Sequence, residues 1–406
     1  MIKENSNMET RVVHPTVLQK KTRIEYIDLL RCFAIYMVCW MHSFGYRAEY
    51  VFVNDQVWKF IAAVNMPLFF MISGFLFSSS FDLSSKDFFR KKFTTLIIPH
   101  IVWILIVGLS DWVIPLVGWT RPFRGGSVTV LSQIKAFFTP DPAANFWFLK
   151  VLFLTESIVF IFYKIFKKRY VALIGSMLFV LLFSFFGVVS KLERFLMPVF
   201  LVGILLKQYY SSFSKHLNKI LISAGLLFLV CFYVYKSAWT FYVMDFPPLF
   251  NFRQSFTEGK LVFDFTNIGI SVFRSLTGIV GSIFFFALFQ KCWKKNTVTA
   301  FFSHCGQITL GIYAVQSIIH QRILRNLVLL NIVAYPKLNI WVFSLITSQI
   351  IGVFVLLVCV LIVSLIQRNK RLTFILFGSS LIDQRFIFSE NQCHPDDHVK
   401  VSKCEA

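Results

Sequence analysis

Stretches of about 20 mostly apolar residues, the length that crosses a bilayer, recur ten times along this chain. They lie at roughly 27–45, 57–79, 93–113, 145–166, 170–187, 192–208, 217–235, 268–289, 306–324 and 340–366. Such a pattern has few folding solutions, because lipid offers the backbone no hydrogen-bond partner and each stretch must satisfy its own amides as a helix. The fifth and sixth are short enough to be half-spans or a tight hairpin, and the last is long enough to tilt. Composition agrees: 56% of the residues are hydrophobic and 15% are charged, against about 25% charged in a soluble domain. A soluble globule of this length could not hide so much apolar surface, which excludes a soluble enzyme, a disordered chain and a fibrous repeat. The expected fold is an all-α integral membrane protein, a bundle of about ten transmembrane helices.

The net charge of +21 would indicate a nucleic-acid partner in a soluble protein. Here Lys and Arg fall in short clusters between apolar runs, as in the cytoplasmic loops of polytopic proteins, and no nucleic-acid partner is expected. With the N-terminus inside, the inner loops carry Lys and Arg at nearly three times the density of the outer loops. The predicted topology is N-in and C-in. No apolar core precedes Lys20, Lys21 and Arg23, so no cleavable signal peptide is expected. The chain divides into a cytoplasmic N-terminal segment (1–24), a transmembrane domain (25–366) and a loosely ordered polar cytoplasmic tail (367–406). Two outer loops, 114–144 and 236–267, are long and rich in aromatics, Pro and Gly. Loops of that length usually do something, here the covering or gating of an outward-facing site. The eight cysteines show no framework spacing and read as buried free thiols. Cys393, His394, His398 and Cys404 in the tail lack a recognised ligand spacing, and no metal site is expected.

Charges within apolar segments are costly and mark candidate sites. On the first span, Asp28, Arg31 and His42 project onto a stripe only about 60° wide, with Arg31 and His42 about 16 Å apart along the axis. Asp28 and Arg31 at i,i+3 have a plainer reading, an ion pair anchoring the helix at the interface. His42 has one too, a satisfied buried histidine, but its alignment with Arg31 and its fitness for proton transfer near neutral pH favour chemistry. Arg90, Lys91 and Lys92 precede the third span. Alone they suit topology or anionic lipid; functionally, they suit a phosphorylated cytoplasmic cofactor. Glu156 lies near the middle of the fourth span, with Lys150 six residues before it. Arg274, His100 and His320 also fall within spans, and the sequence does not say which of these groups pair.

Several of these residues lie in recognisable motifs. Tyr26-Ile27-Asp28-Leu29-Leu30-Arg31, followed after ten residues by His42, resembles the opening motif of the membrane-bound acyltransferase 3 family. Residues Asn65 to Leu76, containing Ser73-Gly74-Phe75-Leu76, are similar to that family's second-helix signature. The segment from Arg90 to Pro99, Asn145-Phe146-Trp147-Phe148-Leu149, and Leu310-Gly311-Ile312-Tyr313 resemble its later landmarks, in the family's order. Two departures stand out. Lys92 occupies the second arginine position of the basic motif and offers a point charge where arginine has a planar fork. Gln316 stands where relatives often have a histidine.

The resemblance implies a stand-alone O-acetyltransferase-like protein of the bacterial inner (plasma) membrane, without an SGNH-type domain. It implies acyl-CoA, most often acetyl-CoA, as donor substrate, no tightly bound cofactor, and a cell-surface or lipid-linked glycan as acceptor. Carried over residue by residue, it makes Arg31 and His42 the essential pair and assigns CoA binding to Arg31, Arg90, Lys91 and Lys92. His42 would act as general base or as transient acyl carrier, and Glu156 as proton acceptor or histidine partner. Asp28, Ser73, Gly74 and Trp147 are motif residues with structural roles. A succinyl donor and an N-acyl product stay open. The competing reading from another class is a polysaccharide or lipid-linked sugar flippase, which would move substrate without dependence on acyl-CoA.

Overall fold

The computed structural model describes residues 24–46, 55–119, 146–185, 191–236, 239, 257, 259, 265–329 and 339–378. Residues 1–23, most of the two long loops, Asn145, and the four Cys and His residues of the tail lie outside the described residues. Among the described residues there is no strand. The principal helices are α1 (Glu25–Ser43), α2 (Gln56–Phe77), α3 (Ser85–Lys92), α4 (Ile98–Val113), α5 (Trp147–Phe166), α6 (Arg169–Phe185) and α7 (Lys191–Gln208). They continue with α8 (Leu217–Val234), α9 (Phe265–Cys292), α10 (Thr297–Gln307), α11 (Thr309–Ile318), α12 (Ser348–Ile366) and α13 (Lys370–Phe377).

Helices occupy all ten of the predicted apolar runs, and the chain is a multi-pass membrane protein. Among the described residues, however, five helical stretches are long and apolar enough to cross a membrane by length and composition: Gln56–Ser80, Ser85–Val117, Leu217–Val234, Phe265–Cys292 and Phe343–Ile366. A sixth is added if Thr297–Gln307 and Thr309–Leu327, bent by 69° at their junction, form one span. The helices that fall short do so for identifiable reasons. α1 carries Asp28, Arg31 and His42, α5 carries Lys150, Glu156 and Lys164, and α6 is 17 residues long.

Burial follows polarity in the inverse of a soluble fold. α1, which carries Asp28, Arg31 and His42, is central: Leu30, Ala34, Ile35, Met37, Val38 and Cys39 are fully buried against α2, α9, α10, α11 and α12. The strongly apolar α12 sits at the edge, exposing Ile350, Phe354, Leu357, Leu361 and Leu365 along one stripe. That stripe has helical spacing and suits contact with acyl chains. The N-terminus of α1, the C-terminus of α2, all of α3, and the α5–α6 and α7–α8 turns lie together at one end of the bundle. Lys164 there donates to the Phe81 carbonyl, Arg169 covers the Phe81 ring, and Tyr26 donates to Tyr210. This is the basic end of the bundle.

Close backbone approach fixes two crossings. Where α2 meets α7, a Cβ on Gly74 would stand 2.0 Å from the Phe200 carbonyl oxygen, and one on Gly203 would stand 2.2 Å from that of Met71. Small residues at such crossings let helices pack where no hydrophobic force drives them together. Where α10 meets α1, a Cβ on Gly306 would fall 1.8 Å from the Asp28 carbonyl oxygen. α1 and the α10–α11 segment run parallel with constant register. Ser303 bonds to the Glu25 carbonyl and Arg31 to Thr309, each pair 278 positions apart, and His42 faces His320 at the same separation.

The tail expected to be loose from residue 367 is docked over its first part. Asn369 caps α13, Trp103 donates to the Leu376 carbonyl at 2.7 Å, and Phe377 is fully buried. Thr373 and Phe377, both buried, and Leu376, packed against the core, give this basic stretch a packing face that its charges disguise.

Gly74→Ala is expected to destabilise the protein by about 1–3 kcal/mol, the usual cost of overpacking a tight contact. Gly45→Ala, where a Cβ meets nothing within 4 Å, is expected to be neutral. Thermal unfolding of the two purified variants in detergent checks the difference.

Candidate functional site

The site is built on α1. Asp28 is buried and lies 3.7 Å from Arg31 Nη1, while Arg31 Nη2 donates to Thr309 Oγ1 on α11 at 2.9 Å. Two neighbours thus orient one guanidinium, and the remaining face of Arg31 lines a cavity of about 330 Å³. At the basic end the cavity is bounded by Ser79, Ser80 and Lys91; its middle by Arg31, Ser73, Lys92, Glu156 and Thr309; its far end by Met66, Phe69, Phe148 and Tyr313. The far end is aromatic. Phe148 packs against Phe69 and Tyr313, with ring centroids 5.6 Å away in each case.

Lys92 and Glu156 meet in this cavity. Lys92 Nζ donates to Glu156 Oε1 at 2.9 Å, and the carboxylate is 3% exposed. Arg90 and Lys92 are two positions apart on α3 and so stand about 200° apart around its axis, which turns Lys92 inward and leaves Arg90 outside. The predicted trio of cations is therefore divided. Lys91 and Lys92 line the cavity, whereas Arg90 is exposed and does not. Glu156 is not a histidine partner in this structure, nor does it pair with Lys150: its Oε1 is held by Lys92.

His42 stands apart from the cavity, whose lining does not include it. It is half-buried about 16 Å beyond Arg31 along α1, with its ring centroid 5.8 Å from that of the buried His320. His320 is the second residue of a run that leaves the α-helical path, the π-helical turn Ile319–Leu324. Such turns insert an extra residue and recur at functional sites. In the shared register of α1 and α11, Tyr313 at the cavity's far end lies about one turn past Thr309 towards His320. Gln316 is buried between these levels, so the imidazole on this helix sits one turn further along, at His320.

Two further placements follow. Ser73 lines the cavity and Gly74, its neighbour, makes the α2–α7 crossing. Trp147 is buried at the start of α5, in ring contact with Phe148. Arg274 lies away from the cavity, its guanidinium 4.2 Å above the Phe195 ring, and Lys150 lies within electrostatic reach of His100.

A buried ion pair that the sequence reading passed over lies next to His320. Arg322 Nε and Nη2 donate to the two carboxylate oxygens of Asp111 on α4 at 3.0 and 3.1 Å, and both residues are buried. Asn326 donates to the Arg322 carbonyl at 2.7 Å, tying the turn to the following helix. The signal was present in the sequence as an aspartate and an arginine near the ends of two apolar runs.

A cation-lined cavity leading to an aromatic end, with a pair of imidazoles further along the same helices, defines a membrane-embedded site suited to group transfer. A family model described as an acyltransferase domain matches residues 24–366, so the chain belongs to the membrane-bound acyltransferase 3 family and is an acyltransferase. No curated protein and no solved structure matches the chain.

Removing one partner of the Asp111–Arg322 pair strands a buried charge. Arg322→Leu alone is expected to cost about 3–5 kcal/mol, and the double variant Asp111→Leu/Arg322→Leu markedly less, because neither charge then stays behind. Thermal unfolding of the single and double variants tests this order.

Proposed function

We propose that this acyltransferase carries an acyl group, acetyl in the first instance, from cytoplasmic acyl-CoA to a hydroxyl of a cell-surface or lipid-linked glycan. In this reading both termini are cytoplasmic, the basic end of the bundle faces the cytoplasm of a bacterial cell, and the helices cross its inner membrane ten times. The observation that carries the reading is the cavity along the Arg31 face of α1. It opens among cations and ends among aromatics, the polarity sequence of a phosphorylated head followed by a thin acyl-bearing arm.

Each residue then has a chemical task. Arg31, fixed by Asp28 and Thr309, contacts the donor from the middle of the cavity, and Lys91 meets its phosphates at the mouth. The acyl end advances past Tyr313 towards His42. There the imidazole removes the acceptor hydroxyl's proton as the oxygen attacks the thioester carbonyl. The carbon–sulfur bond breaks and CoA leaves as the thiol with that proton. In the alternative route His42 itself takes the acyl group and passes it on. His320, in ring contact with His42, orients it in either route.

The test is transfer of radiolabelled acetyl from acetyl-CoA into membrane glycans at matched protein expression. Wild type is expected to transfer label, and His42→Ala to lower the rate by about 10²–10⁴-fold, the typical contribution of a positioned general base. Arg31→Ala is expected to abolish transfer through loss of the donor contact. Persistent transfer in His42→Ala would keep the enzyme and discard this mechanism. No transfer from acetyl-CoA or succinyl-CoA into a broad glycan panel would overturn the reading and favour the flippase.

A further inference from the structure

The cavity contains one polar atom whose environment is incomplete. Glu156 is 3% exposed and sits within an apolar stretch of α5 whose other cavity-facing residues are Phe148, Leu149 and Leu152. Its two carboxylate oxygens are not equivalent. Oε1 accepts from Lys92 Nζ at 2.9 Å, while Oε2 is buried and has no hydrogen bond among the described residues. A buried carboxylate oxygen left without a donor is costly in a low-dielectric interior. Lys92 Nζ makes its one contact with the carboxylate through Oε1, and it lies 5.9 Å from the centroids of the Phe77 and Phe88 rings. Glu156, which carries this oxygen, lines the space that a ligand would enter.

Glu156 lies eight residues from Phe148, so it stands about 12 Å from the aromatic end towards the basic end. A donor with its phosphates at Lys91 and its acyl end directed past Phe148 and Tyr313 towards His42 would pass Glu156 with its arm. That part of acyl-CoA carries two secondary amides, whose N–H groups are hydrogen-bond donors of the kind Oε2 lacks. We propose that Glu156 Oε2 accepts a hydrogen bond from an arm amide of the donor, with Lys92 as the carboxylate's fixed counter-ion and not a phosphate ligand. The inference rests on the acyl-CoA reading above and gives Glu156 a role in donor recognition in place of proton transfer. It makes the cavity selective for acyl carriers with an amide-bearing arm over esters or lipids of similar girth.

The experiment measures equilibrium binding of acetonyl-CoA, a non-transferable ketone analogue, to the full chain in lipid nanodiscs. Two further analogues replace one arm amide each by an ester, exchanging N–H for oxygen. One of them is expected to bind wild type about 10- to 100-fold more weakly than the parent, the range for a hydrogen bond to a charged group. That same analogue is expected to lose nothing further in Glu156→Ala or in the charge-free double variant Lys92→Met/Glu156→Leu, because its partner is already gone. Equal binding of all three compounds to wild type, which requires no variant to fold, would overturn the arm contact while leaving the donor assignment standing. Additive losses from analogue and substitution would overturn it as well. Failure of acetonyl-CoA itself to bind wild type would remove the donor reading and this contact together.

Discussion

Lipid supplies no counter-charge and no hydrogen bond, and the arrangement of the helices follows from where the chain can hide its ionisable groups. Asp28, Arg31 and His42 on α1 oblige that helix to occupy the centre, enclosed by α2, α9, α10, α11 and α12. The strongly apolar α12 is free to face acyl chains and does so along one side. Three interior charges have opposite-charge partners: Arg31 has Asp28, Lys92 has Glu156 and Arg322 has Asp111. Lys59, buried near the start of α2, solves the same problem by bonding the Phe232 carbonyl and lying over its ring.

These pairs differ in what they leave over. The Asp111–Arg322 contact is bidentate and fully enclosed, so it offers nothing to a ligand and fixes the path of the turn after His320. The Lys92–Glu156 contact uses one carboxylate oxygen and leaves the other without a hydrogen bond among the described residues, on a side chain that lines the cavity. Arg31 is intermediate, since Asp28 and Thr309 hold its plane while part of its side chain borders open space. A buried pair in this bundle is thus structural or ligand-directed according to how many of its donors and acceptors the protein itself satisfies.

Much of this was legible in the sequence, and the parts that were not share a cause. Apolar runs are local, and all ten contain helix. The α1 stripe was legible because 3.6-residue periodicity projects Asp28, Arg31 and His42 without tertiary knowledge. Pairings across helices carry no such local signature: Lys92 and Glu156 are 64 positions apart, Asp111 and Arg322 are 211 apart. Arg90 and Lys92 fall on opposite sides of α3 by helical periodicity alone, but which side faces inward depends on Glu156, 64 positions from Lys92. The loose tail was misread for the same reason, since Trp103, which anchors α13, lies 273 positions away.

The 278-position register between α1 and the segment bearing Thr309 and His320 also governs biosynthesis. At 5–20 residues per second, roughly 14–56 s separate the emergence of Arg31 from that of Thr309. During that interval α1 stands in the membrane without its central neighbours, and the only carboxylate one turn from Arg31 is Asp28. The i,i+3 pair is therefore a provisional shelter for the guanidinium as well as part of the finished site. A nascent chain that has passed α9 but not α11 holds every cation of the cavity and lacks the wall that closes it. The enzyme comes into existence only in the last stage of its own synthesis.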